Sequence, residues 1–353
     1  MQKASLQERF DEAFKHLLHG LPVEDLVFTS EEWALFSVDL SREGLQPYFY
    51  TRIKDRDAFP EQLVLESRQS YKSALLYKDY AVCKLKELQE QLCEKGRVIV
   101  IKGLALCEDV YREPEVRPMT DVDLYLPDGS IDDVKETLID NNFTPVESYP
   151  YLLQTKELVI DLHQDLWGVR RISERSELVP AIEPKFVSSR LLPGYYIPAP
   201  FFLAVHEAYH GLKHGFSKKI WLLDLLKLYK AGNFDPKVLQ TIGSAVVQVA
   251  FEHLHDQGLI SDTIPEVRKI SPLRHKFIKQ ALRHHNRAGI GEILMALCCE
   301  TWLKTLVYFA ATFFPRKVVL EEMYGKRPYV VLFTLRIFRM VRYALGMLVW
   351  QKK

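Results

Sequence analysis

The sequence predicts an α+β protein, a small mixed α/β unit set between two helical regions. Two observations carry this. Apolar residues recur at the helical period before about residue 95 and after about residue 199, and between residues 97 and 162 the period shortens to that of strands. The 353-residue chain, 48% hydrophobic and 26% charged, has the composition of a globular protein and the length of two or three packed units.

Residues 1–95 form the predicted N-terminal helical region. MQKASLQERFDEAFKHLLHG is amphipathic and charged and has no signal-peptide apolar stretch. Ser30 is the expected N-cap of a helix opened by Glu32 and Trp33 and ending near Gly44. From Pro60 to Lys95, residues such as Leu63, Leu75, Cys83, Leu85, Leu88 and Leu92 keep helical spacing, until Gly96 stops the run.

Residues 96–168 form the predicted α/β core. Arg97 to Ile101 is a short buried-strand signal, residues 103–111 suit a helix, and Thr120 to Leu126 alternates as a strand. Pro127-Asp128-Gly129 is a turn, residues 130–141 are helical, and strands are expected over residues 143–146 and 158–162. Residues 169–353 open with proline-rich turns and become mainly helical, with Phe201-Phe202 and Phe313-Phe314 read as core. There is no internal repeat or low-complexity tract.

Net charge is +1, so no global field gathers nucleic acid. Five scattered cysteines without a C-x-x-C point to reduced thiols and a cytoplasmic setting. After Glu322 the chain is apolar and basic, with Arg336, Arg339 and Arg342 on one stripe of a helix. Three arginines argue against a spanning segment. Two roles stay open for this helix: a terminal helix packed on the rest, or one lying on a membrane surface or other anionic partner.

The chemistry is expected in the α/β unit. Alternation puts Asp121 and Asp123 on one side of their strand, with Val122 and Leu124 on the other. Two such carboxylates repel unless a cation holds them, which suits Mg²⁺ (or Mn²⁺) and its preference for oxygen ligands. Asp161 is the one acid in an apolar strand, with His163 on the same face, either touching a nucleotide or bonded to backbone. Lys102-Gly103, at a strand end and helix start, offers close backbone approach and a point charge for phosphate, and Arg117 offers a second cation.

A second pattern competes. His206-Glu207-Ala208-Tyr209-His210 matches H-E-x-x-H, the helical signature of a zinc hydrolase, with Glu252 or Asp256 available as third ligand. Gly211 and Gly215 weaken a rigid ligand helix. The alternative uses spacing: His206, His210 and His214 share one helix face, and Asp224, in an apolar run that leaves no carboxylate unpaired, is expected to meet one of them.

VIVIKGLALCEDVYREPEVRPMTDVDLYLPDG followed by ELVIDLHQDLW resembles the bacterial uncharacterised nucleotidyltransferase family of the polymerase-beta-like superfamily. The likeness runs through Lys102 to Leu106, Tyr111, Arg117 to Leu126 and Ile160 to His163. It continues through His206, His210, His214-Gly215, Trp221 to Leu225, Phe314-Pro315 and Tyr324-Gly325. The resemblance implies a two-metal transfer of an NMP group from an NTP such as ATP, with Asp121, Asp123 and Asp161 as metal ligands. Lys102, Gly103, Arg117 and His163 would bind nucleotide, with His210, His214 and Asp224 in support. The acceptor, a small molecule, protein or RNA, is not encoded visibly. Lys102-Gly103 departs from the superfamily's Gly-Ser pair, but the same substitution occurs in the K-G-G nucleotidyltransferase toxins of abortive-infection systems, so the departure is compatible with activity and leaves the nucleotide preference open. A nucleotide-binding module without turnover is the alternative.

Overall fold

The computed structural model describes residues 5–23, 28–56, 58–147, 149–232, 236–267, 270–283 and 290–350, without the side chains of residues 322, 339, 340 and 342–350. The N-terminal region is helical: α1 (Leu6–His19), α2 (Ser30–Arg42), α3 (Gln46–Ile53), α4 (Glu61–Glu87) and α5 (Gln89–Cys93). The N-cap of α2 is Thr29 rather than Ser30, because Thr29 and Glu32 form a reciprocal capping box that places Ser30 inside the first turn. The predicted helix from Pro60 to Lys95 breaks at Leu88, which caps α4 and opens α5.

Then follow β1 (Ile99–Ile101), α6 (Lys102–Asp109), β2 (Val122–Tyr125), α7 (Ile131–Asp140), β3 (Thr144–Val146), β4 (Tyr149–Gln154), β5 (Val159–His163), β6 (Phe186–Ser188) and β7 (Tyr196–Pro198). The remainder is helical: α8 (Pro200–Lys213), α9 (Lys219–Lys230), α10 (Leu239–Ile242), α11 (Ala245–Asp256), α12 (Pro272–Arg283), α13 (Gly291–Leu297), α14 (Trp302–Phe313), α15 (Lys317–Tyr324) and α16 (Tyr329–Trp350).

The strands form one mixed sheet in the order β3-β4-β5-β2-β1-β7-β6. Residues 186–198, read from the sequence as turns, supply its last two strands, β7 running parallel to β1. Each is only three residues long, too short for a period-2 pattern to register. One apolar core runs through all three predicted regions, drawing on Phe14 and Leu85, on Val122 and Ile160, and on Leu203 and Phe251. The expected alternation holds at the centre, where Val122, Leu124, Ile160 and Leu162 are buried. Phe202 is core, but Phe313 and Phe314, expected in the core, are exposed at the end of α14. All five cysteines are unpaired.

Candidate active site

Strand pairing assembles the site. β2 and β5 run parallel with Asp123 beside Asp161 and Tyr125 beside His163, while antiparallel β1 ends with Ile101 beside Asp123. Lys102, the next residue, therefore emerges at the same end of the sheet. Its φ of 53° lies in the left-handed region, which costs a residue with a side chain on the order of 1 kcal/mol. From there its ammonium contacts Asp123 Oδ1.

His163 Nε2 lies 2.8 Å from the same Oδ1 and 3.1 Å from Asp161 Oδ2. Among the described residues, Asp123, Asp161 and His163 form the group whose ligand atoms converge closely enough for one metal ion, all within 4.8 Å. Asp121 lies outside this group and accepts a hydrogen bond from Thr120 Oγ1. It remains electrically coupled, since burial and the Asp123 charge raise its carboxyl above the usual range. Burial also acts to raise Asp123, but Lys102 and His163 outweigh it and hold this acid below the usual carboxylate range. In return, and against the effect of burial, Asp123 raises both Lys102 and His163.

The cluster borders a cleft of about 350 Å³, whose lining includes Lys102, Asp161 and His163 on the sheet side. Arg170 and Arg171 from the loop after β5, and His206, His210 and Lys213 from α8, also face it. Asp165 shapes that loop by accepting hydrogen bonds from the backbone N–H groups of Trp167, Gly168 and Arg170. Lys213 went unremarked in the sequence, although it shares a face with His206 and His210. It has no hydrogen bond or ion pair among the described residues, and burial followed by the Arg175 charge lowers it to about 8. Tyr77 was also missed. From α4 its hydroxyl donates to Thr120 O at 3.0 Å and accepts from Val159 N–H, tying the starts of β2 and β5 together.

Four expectations need correcting. Asp224 meets no histidine: Arg117 Nε and Nη2 donate to its carboxylate at 2.8–3.0 Å, and Tyr111 OH donates at 2.7 Å. Both Arg117 and Tyr111 are buried, so Tyr111 is more than packing and the Arg117 charge is spent on Asp224 rather than offered to phosphate. His210 and His214 instead pack on Trp221, with ring centroids 5.6 and 5.2 Å away.

Gly103 is also explained differently. A Cβ there would come 2.6 Å from Met119 Cγ and 2.9 Å from Arg117 Nη1, so the glycine makes room for this loop rather than for a ligand. The zinc reading loses its third ligand, because Glu252 pairs with His275 at 2.5 Å and Asp256 with Lys279 at 3.0 Å. His206 Nδ1 and Glu207 Oε1 are buried without hydrogen bonds and lie 3.5 Å apart.

A sequence model of the uncharacterised nucleotidyltransferase family matches residues 29–242, well over half of the chain. The chain belongs to this family. The match spans the converging acids, the Lys102-Gly103 bend and α8 to α10, and supports a transferase of this general kind. No curated protein and no solved structure matches the chain.

Proposed function

We propose that the protein moves an NMP group from an NTP to a hydroxyl acceptor, with Mg²⁺ or Mn²⁺ held by Asp123 and Asp161 and with Asp121 as the further carboxylate of a two-metal form. The observation that carries this is the parallel register of β2 and β5, which sets two carboxylates side by side next to a cation-lined cleft. The donor set fits a hard divalent ion. Lys102 and His163 both bond Oδ1 of Asp123, which leaves Oδ2 and the partly exposed Asp161 as oxygen donors.

When bound, the ion neutralises phosphate charge and polarises the transferred phosphoryl group. The rest is the work of the chain's own residues. Lys213, Arg170 and Arg171 bind and orient the triphosphate, and Lys102 offsets the repulsion between paired acids. Asp161, on the cleft side, takes the proton of the acceptor hydroxyl. The acceptor oxygen bonds to the α-phosphorus as the α–β bridging bond breaks and pyrophosphate leaves.

One observation favours a second reading. The Lys102 ammonium already neutralises Asp123, as expected of a module that binds nucleotide without turning it over. Incubation with α-labelled NTPs, Mg²⁺ or Mn²⁺ and cell extract separates the two. Catalysis predicts label retained on an acceptor and a loss of at least about 10³-fold in Asp123→Asn at unchanged circular dichroism. Label transfer indifferent to that substitution would refute the site. Nucleotide binding by the wild type with no labelled acceptor would select the second reading.

A further inference from the structure

Helix α14 is built inside out. Its buried residues are the polar Thr305 and Tyr308, which donate hydrogen bonds to Ala296 O and Glu292 Oε2. The opposite stripe, Trp302, Leu303, Leu306, Val307 and Phe313, faces outward, with Leu303 and Leu306 71% and 62% exposed. Helix α16 buries Leu332 but also turns an apolar stripe outward, exposing Val330, Ile337, Phe338 and Val341 at helical spacing. The two helices are joined, since Phe314 stacks on Phe333 at 5.4 Å and Arg336 Nη2 donates to Thr312 O at 2.8 Å. An apolar surface spread over two joined helices is not the ordinary scatter of surface leucines.

Charge indicates what covers it. Residues 302–353 hold ten Lys and Arg against two Glu, net +8, whereas the whole chain is +1 and residues 1–301 are therefore net −7. Lys326 and Arg327, in the turn before α16, are exposed. A second copy of this C-terminal segment would carry the same +8, which opposes self-association. No helix among the described residues is long and apolar enough to cross a membrane.

We propose that α14 and α16 dock the protein on the surface of a bilayer rich in anionic lipid. The apolar stripes enter the boundary between headgroups and acyl chains, Trp302 and Tyr329 take the amphipathic interfacial positions, and the basic residues meet lipid phosphates. The docked face adjoins the cleft: Val319 and Met323 of α15 line it, and Arg316 Nη2 donates to the carbonyl of Arg170 at 2.7 Å. The inference rests on the surface alone and does not depend on the reaction proposed above.

Flotation of the full chain with vesicles tests it. The wild type is expected to float with vesicles of 70% phosphatidylcholine and 30% phosphatidylglycerol, and to remain below with pure phosphatidylcholine. Lys326→Ser with Arg327→Ser should weaken binding roughly 25-fold, about fivefold per charge. Leu303→Glu with Leu306→Glu, both at exposed positions, should abolish flotation at an unchanged circular dichroism spectrum. A wild type that ignores anionic vesicles would overturn the proposal, as would a Leu303/Leu306 variant that floats like the wild type. So would light scattering showing a dimer that only this variant dissolves, because the face would then belong to a second copy.

Discussion

Replacing Asp224 by Asn keeps the shape of the side chain and removes the charge that compensates Arg117. Asp224 is wholly inaccessible and Arg117 is 8% exposed, so water cannot take over the solvation of the guanidinium. The carboxylate accepts from Arg117 Nε and Nη2 and from Tyr111 OH, and burial pushes the Asp224 carboxyl up while Arg117 pulls it back. Removing one partner of such a buried pair costs about 3–5 kcal/mol. Glu207 also acts on Arg117, so the lower end is expected. At an unfolding entropy of about 2.1 cal/mol/K per residue, a 353-residue chain loses roughly 4–7 °C in melting temperature. Scanning calorimetry measures this directly, and Arg117→Met with Asp224→Leu should recover most of the loss. The reasoning fails if Asp224→Asn melts within about 1 °C of wild type. It also fails if the Arg117 and Asp224 substitutions add to within about 0.5 kcal/mol, since contacting residues must couple.

Gly103→Ala drives a methyl group into Met119, which can yield, and into the Arg117 guanidinium, which Asp224 holds in place. A cost of about 1–3 kcal/mol is expected in chemical denaturation, and a neutral result would show that the loop gives way freely. Lys213, lowered to about 8, holds a proton at pH 7 and loses it as pH rises, so ATP affinity should weaken between pH 7 and pH 9. Phosphate that restores the lysine by one pKa unit gives about a tenfold change. By calorimetry, Lys213→Met should bind more weakly at pH 7 and show a flatter profile, and a steep profile in the variant would assign the titration elsewhere. For stability the sign is reversed: the unfolded chain binds this proton more tightly, so the cationic lysine opposes folding below pH 8, and that penalty fades as pH rises toward 10.5.

The elements of the α/β core were legible because alternation and helical spacing are local properties. Residues 97–101, 120–126 and 158–162 each carry their own strand signal, and the structure places β1 and β2 within the first two and ends β5 one residue past the third. The two strands in residues 186–198 were not legible, being too short for a period and held in place by pairing with β1. At the site, the sequence singled out Asp123, Asp161, His163 and Lys102, whose side chains do converge. It misplaced Arg117 and Asp224, which are 107 residues apart along the chain and pair where α9 meets the segment before β2.

What the sequence determined by itself was which residues could carry charge at a strand end: acids spaced by two, a lysine before a glycine, a histidine after an acid. Period and residue type are written in the chain, so these candidates needed no coordinates. Which cation answers which carboxylate was decided only by the tertiary packing that brings α9 beside the segment before β2, because a buried charge pairs with the nearest opposite charge in space, whatever its distance in sequence. The same holds for α14. Its spacing marks an apolar face, and only the tertiary fold, by burying Thr305 and Tyr308, turned that face outward.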